Sequence, residues 1–148
     1  MPIELRTILL AEDNPKDLEL TLEALAEHNL ANQVVVVKDG VEVMEFLRCE
    51  GNYKLRKPGK PAVLLLDMKM PRMDGIEVLR AIRSDPALKL LPVVMLTSSR
   101  EEQDLIKSYE LGINAYVVKP VDFKDFIEAV KYIGMFWAVV NELPPENI

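Results

Sequence analysis

Five short segments of this chain are apolar at nearly every position: Thr7–Ala11, Gln33–Val37, Ala62–Asp67, Pro92–Leu96 and Ala115–Val118. Their length and their valine, isoleucine and leucine content mark them as strands. A strand with one wet face alternates apolar and polar residues. These runs do not alternate, so both faces of each strand must be covered. Strands covered on both sides belong to a parallel sheet packed between helices.

The intervening segments supply those helices. The first follows Asn14-Pro15, a cap with proline at the first helical position, and repeats Leu18, Leu22 and Leu25 on one face. The second begins near Asp39-Gly40 and carries Val43, Phe46 and Leu47. The third follows Asp74-Gly75 with Ile76, Leu79 and Ile82 inward. A fourth is expected after Ser98-Ser99, carrying Leu105, Ile106 and Tyr109 and closing at Leu111-Gly112. A fifth starts at Asp122 with Phe123, Phe126, Ile127, Val130 and Ile133. The order is (βα)₅. Right-handed crossovers then give an α/β, doubly wound, five-stranded parallel sheet. The stretch Arg48–Pro61 reads as a long surface loop, and Asn141–Ile148, with Pro144-Pro145, as an extended end.

Other features narrow the function. At 148 residues the chain is expected to be one domain spanning 1–148. The single Cys49 excludes an intramolecular disulfide and a cysteine-based zinc site, and the single His28 excludes a multi-histidine metal centre. The longest strictly apolar run outside the last helix is Ala62–Leu66, far short of the ~20 residues of a membrane helix. Met1-Pro-Ile-Glu-Leu-Arg6 lacks the shape of a signal peptide, so a cytoplasmic location without membrane contact is expected. With 18 basic and 24 acidic residues the net charge is −6, which argues against nucleic acid as a partner.

In an open α/β sheet the functional crevice lies at the carboxyl ends of the strands. Glu12 and Asp13 follow the first strand, Asp67 ends the third, Thr97 and Ser98 follow the fourth, and Lys119-Pro120 follows the fifth. Taken singly each has an ordinary explanation: a polar turn, a helix cap or a solvated lysine. Together they all fall on one rim. Three neighbouring carboxylates repel one another unless a cation neutralises them. All-oxygen ligation suits Mg²⁺. The remaining lysine and hydroxyls are what a phosphoryl group requires. Asp67 ends the central strand and precedes the loop Met68-Lys69-Met70-Pro71, which lets its side chain point out. It is the expected nucleophile, forming an aspartyl phosphate. Glu12 and Asp13 are better placed as metal ligands.

The segments Ile8-Leu-Leu-Ala-Glu-Asp-Asn14, Leu66-Asp-Met-Lys-Met-Pro-Arg-Met-Asp-Gly75, Val94-Met-Leu-Thr-Ser98 and Gly112-Ile-Asn-Ala-Tyr-Val-Val-Lys-Pro120 resemble the receiver domain of bacterial two-component response regulators. The resemblance covers about residues 6–131. It implies a flavodoxin-like fold with strand order 2-1-3-4-5. It implies a phosphoryl acceptor, Asp67, served by a histidine kinase or a histidine phosphotransfer protein. Mg²⁺ would be held by Asp13, Asp67 and the backbone carbonyl of Lys69, with Glu12 helping through water. Thr97 would be the switch hydroxyl, Tyr116 the aromatic that turns with it, and Lys119 the partner of the phosphate. A cis Lys119-Pro120 peptide and a turn at Gly75 are implied as well. By the same resemblance, Lys69 and Ser99 would occupy positions that tune the lifetime of the phosphoryl group.

Residues 132–148 are too few for a DNA-binding output domain, so a stand-alone regulator acting through protein contacts is expected. Met135, Phe136, Trp137, Val139 and Val140 form an apolar patch expected to make a homodimer contact. That tail and the long loop are also similar to small regulators paired with bacterial phytochrome kinases. Met68, Met70 and Met73 flank the acceptor, either as adaptable contacts for a partner or as filler beside the third helix. The chain reads as a signalling protein rather than an enzyme, with a phosphate sink or shuttle as the alternative. A haloacid-dehalogenase-like phosphatase would want a second acid where Lys69 stands. A flavodoxin-like cofactor protein would want a phosphate loop where Glu12-Asp13-Asn14-Pro15 would repel it. A structural adaptor with an idle site is the remaining alternative.

Overall fold

The computed structural model describes residues 4–27, 30, 33–98 and 112–132. The expected fourth helix, Ser99 and the apolar tail with Met135, Phe136, Trp137, Val139 and Val140 lie outside the described residues. The elements run β1 (Glu4–Ala11), α1 (Pro15–Ala26), β2 (Val34–Val37), α2 (Gly40–Arg48), a 3-10 turn (Gly51–Tyr53), β3 (Pro61–Asp67), α3 (Gly75–Ser84), β4 (Val93–Thr97), β5 (Ala115–Val118) and α4 (Phe123–Tyr132). All five strands are parallel, in the expected order β2-β1-β3-β4-β5.

The unbroken apolar runs are explained by their parity. Leu9, Ala11, Leu64, Leu66, Val93 and Met95 face a core shared with α2 and α3. Ile8, Leu10, Val63, Leu65, Val94 and Leu96 face a second core shared with α1 and α4. Successive strand residues point to opposite sides, so a strand buried on both sides needs apolar residues throughout. Fully burying each leucine of β3 contributes about 1.5–3 kcal/mol.

The helix starts follow their caps. The Asn14 side chain accepts from Asp17 N at 2.9 Å, and that of Asp39 from Glu42 N at 2.8 Å. Asp74 and Glu77 form a reciprocal capping box, each side chain bonding the other's backbone N–H at 2.9 Å. The stretch after α2 is less loose than a surface loop implies. The Tyr53 ring meets Phe46 edge-on at 5.2 Å, and its hydroxyl donates to Glu42 at 2.6 Å. The Arg56 guanidinium lies over the same Phe46 ring, 4.0 Å from its centre, and donates to Phe46 O and Gly59 O. Met68 is buried, and Met70 and Met73, partly buried, pack against the α2–α3 core.

Gly75 opens α3 directly behind the end of β3. A β-carbon there would overlap the carbonyl oxygen of Asp67 and lie 2.8 Å from Met68 Cα. Both obstacles are backbone, which cannot swing aside. Gly75→Ala is expected to cost about 1–3 kcal/mol, the usual range for overpacking. Asp74→Ala, which loses the capping box, should cost about 1 kcal/mol. Urea unfolding of the two variants would check this, and a Gly75→Ala protein as stable as wild type would show that the loop can retreat.

Candidate functional site

Strand register assembles the rim. Ala11 pairs with Leu66, which sets Glu12 level with Asp67. Asp67 pairs with Leu96, so Thr97 stands one step beyond. Thr97 pairs with Val118, which puts Lys119 one step further. Thr97 is the last residue of β4 rather than the first after it, and it is buried. Ser98 is exposed next to it, and Tyr116 is exposed on β5. Lys119 N donates to Thr97 O at 2.8 Å, and the Lys119-Pro120 peptide is cis.

Carboxylate oxygens of Glu12, Asp13 and Asp67 all lie within 4.8 Å of one another. Glu12 and Asp67 are buried, whereas Asp13 is exposed. The Lys119 ammonium, 7% exposed, is 3.0 Å from Glu12 Oε1, 3.2 Å from Asp67 Oδ1 and 2.9 Å from Asp17 Oδ2. Glu12 Oε2 accepts from Asn14 N at 3.2 Å, so both of its oxygens are occupied. Asp13, Asp17, Asp67, Lys69, Ser98 and Lys119 line the cleft that opens from this cluster to solvent.

Asp17 was not anticipated as part of this group. Its place in the first turn of α1 is readable from the Asn14-Pro15 cap. Its contact with Lys119, 102 residues away in sequence, is not. The side chain of Lys69 is exposed, two residues beyond Asp67. The acceptor loop is closed by Gly75 N on Met68 O at 3.0 Å. It is also tied to the β2–α2 connection, where Arg72 forks onto both oxygens of Asp39 at 3.1 and 3.0 Å.

The electrostatics follow from burial. Burial and the neighbouring Asp67 carboxylate push the Glu12 pKa up to about 7 from 4.5, against the pull of Lys119 and Asn14. Burial works against the Lys119 ammonium. Its hydrogen bonds to Asp17 and Glu12 and the charge of Asp67 outweigh that and hold its pKa above the ordinary lysine value. A donor set made only of carboxylate oxygens, with acidity in excess of the one lysine, fits a hard divalent cation.

In protein kept free of metal, the raised Glu12 pKa sets the sign of a pH effect. Between about pH 4.5 and about 7 the folded state keeps a proton on Glu12 that the unfolded state has lost. This contribution to stability is complete below 4.5 and disappears as pH rises through 7. Its slope is at most about −1.4 kcal/mol per pH unit. The difference in unfolding free energy between wild type and Glu12→Gln, measured in chelator across that range, should show it. A difference independent of pH would place the titration elsewhere.

Comparison with known proteins agrees with this geometry. The family model for the response regulator receiver domain matches residues 8–131. The chain is 39% identical over 139 residues to the response regulator Rcp1 of Synechocystis sp., covering 94% of this chain and 93% of that protein. A crystal structure of the Mn²⁺-bound form of Rcp1 superposes with a TM-score of 0.71 at 39% identity, covering 93% of this chain and 98% of that one. The bacteriophytochrome response regulator AtBRR superposes with a TM-score of 0.84 at 58% identity, covering 93% and 99% of the two chains. The phosphorylated cyanobacterial phytochrome response regulator RcpA superposes with a TM-score of 0.72 at 43% identity, covering 93% and 97%. In fold, in sequence and in the residues gathered at its rim, the chain belongs to the response regulator receiver domain family.

Proposed function

We propose that this protein is a cytoplasmic phosphoryl acceptor of a two-component phosphorelay, taking the group on Asp67 from a histidine kinase or a histidine phosphotransfer protein. The observation that carries the reading is the buried Asp67 carboxylate with the Lys119 ammonium 3.2 Å away. The nucleophile and the cation that meets the transferred charge are thus already adjacent.

The chemistry needs little beyond position and charge. An Asp67 oxygen forms a bond to phosphorus as the donor's phosphorus–nitrogen bond breaks, and the imidazole leaves with the bonding electron pair. Asp13, Asp67 and the Lys69 carbonyl, with Glu12 helping through water, would hold Mg²⁺, which would supply charge to offset the phosphoryl oxygens. Lys119 adds a second positive charge for the phosphoryl group. The Thr97 hydroxyl, one step along from Asp67 in the sheet register, hydrogen-bonds to the phosphoryl group. Tyr116 lies on the strand that leads to Lys119 and transmits the change to the β5–α4 surface. Exposed Lys69 stands at the mouth of the cleft, where it controls the approach of hydrolytic water.

The similarity to AtBRR and RcpA supports a phytochrome-type kinase as the donor. We also propose that the protein works as a homodimer held by Met135, Phe136, Trp137, Val139 and Val140. The support for this is the apolar character of that sequence.

With Mg²⁺ and acetyl phosphate, or a phosphorylated phytochrome kinase, wild type is expected to gain an acid-stable, base-labile phosphate that Asp67→Asn lacks. Lys119→Ala should slow its uptake by roughly 10²-fold, the usual cost of removing one donor to a developing anion. A label that persists in Asp67→Asn would reject Asp67 as the acceptor. For the dimer, Phe136→Ala/Trp137→Ala is expected to halve the mass found by light scattering, and an unchanged mass would discard the tail contact.

A further inference from the structure

We propose that Asp17 is a positioning residue that restrains Lys119 and competes with a phosphoryl oxygen for its ammonium. The inference rests on the acceptor reading of Asp67 and adds a competitor to it.

An ammonium group has three N–H donors and no more. Lys119 meets three carboxylate oxygens, from Asp17, Glu12 and Asp67, at 2.9, 3.0 and 3.2 Å. Two of its donors are committed to hydrogen bonds with Asp17 and Glu12, and it meets Asp67 as an ion pair. A phosphoryl oxygen that draws the ammonium to itself therefore competes with Asp17 and Glu12. Glu12 is a poor candidate for release: it is fully buried, and its second oxygen is held by Asn14 N, so an oxygen freed by Lys119 would have no water to turn to. Asp67 is the atom being modified and stays beside the incoming group. Asp17 is different. Its side chain is 30% exposed and lines the open cleft, so water can replace the ammonium at little cost.

The main chain of Asp17 is anchored as well. Its backbone N–H is held by the Asn14 cap at 2.9 Å, at a fixed point in the first turn of α1. In this proposal the contact is given up when the lysine turns to the phosphoryl group. The carboxylate of Asp17 adds repulsion for the incoming anion, which acts in the same direction. The resting state is stabilised and the anion-loaded state is not. Removing the Asp17 charge should favour the loaded state.

The test is the affinity of the full chain for beryllofluoride in saturating Mg²⁺, measured by calorimetry. Loss of a partly exposed charged hydrogen bond predicts binding about fivefold tighter in Asp17→Asn and at least as tight in Asp17→Ala. Asp17→Glu, which restores the charge, should return the affinity to within about twofold of wild type. Mg²⁺ affinity without the anion, measured in parallel, should change by less than about twofold in Asp17→Asn, since Asp17 acts on the lysine and not on the metal. A role confined to helix stability would lower the unfolding midpoint without tightening anion binding, and that result overturns the inference. So does beryllofluoride affinity that is equal to or weaker than wild type in Asp17→Asn or Asp17→Ala. Wild type that takes up neither beryllofluoride nor phosphate at Asp67 removes the acceptor reading and this inference together. Wild type that binds the anion as the variants do removes only the inference.

Discussion

One buried ammonium holds the working end of this molecule together. Lys119 stands among Glu12, Asp67 and Asp17, with Asp13 at the mouth of the cleft. Buried carboxylates without partners would be costly, and a single lysine cannot balance them all. The excess negative charge is the reason the rim suits a cation and then a phosphoryl group. Burial, with the Asp67 carboxylate beside it, holds the Glu12 proton towards neutral pH.

That balance depends on a scaffold that does not yield. Glu12, Asp67, Thr97 and Lys119 come from four points far apart in the chain, and parallel pairing sets them side by side to within a strand step. The two cores behind them lock the register, because a slip of one residue would exchange the faces of every strand. Arg83 secures the far end of the sheet. It donates to Gly112 O at 3.0 Å and to Leu91 O at 2.8 Å, while Asn114 accepts from Val93 N at 2.7 Å. This fixes where β5 begins and so where Lys119 ends up. At the near end, Gly75 lets α3 start against the Asp67 carbonyl.

The parts legible in the sequence are those governed by local pattern. The strand runs were readable because burial on both faces leaves an unmistakable apolar stretch, and the caps at Asn14, Asp39 and Asp74 marked three helix starts. The rim was readable because acids, hydroxyls and lysine each follow a strand. Less legible was the stretch after α2. Its lysines, glycines and prolines hid a Tyr53–Phe46–Arg56 stack that pins it to the helix. Thr97 was placed one residue outside its strand, since a threonine serves a strand end as well as a cap.

By itself the sequence determined the sheet, its order of elements and the chemical types at its carboxyl edge, because these follow from periodicity and from what comes after each strand. The tertiary structure alone decided which carboxylates share the ammonium. Asp17 could be placed on a helix turn from its cap. Its pairing with Lys119 exists only because the fold brings the first turn of α1 to the same rim as the residue that follows β5, at a distance in sequence that no local pattern spans. Charges meet where the chain folds back on itself, and that meeting decides which carboxylate stays bound and which is free to let go.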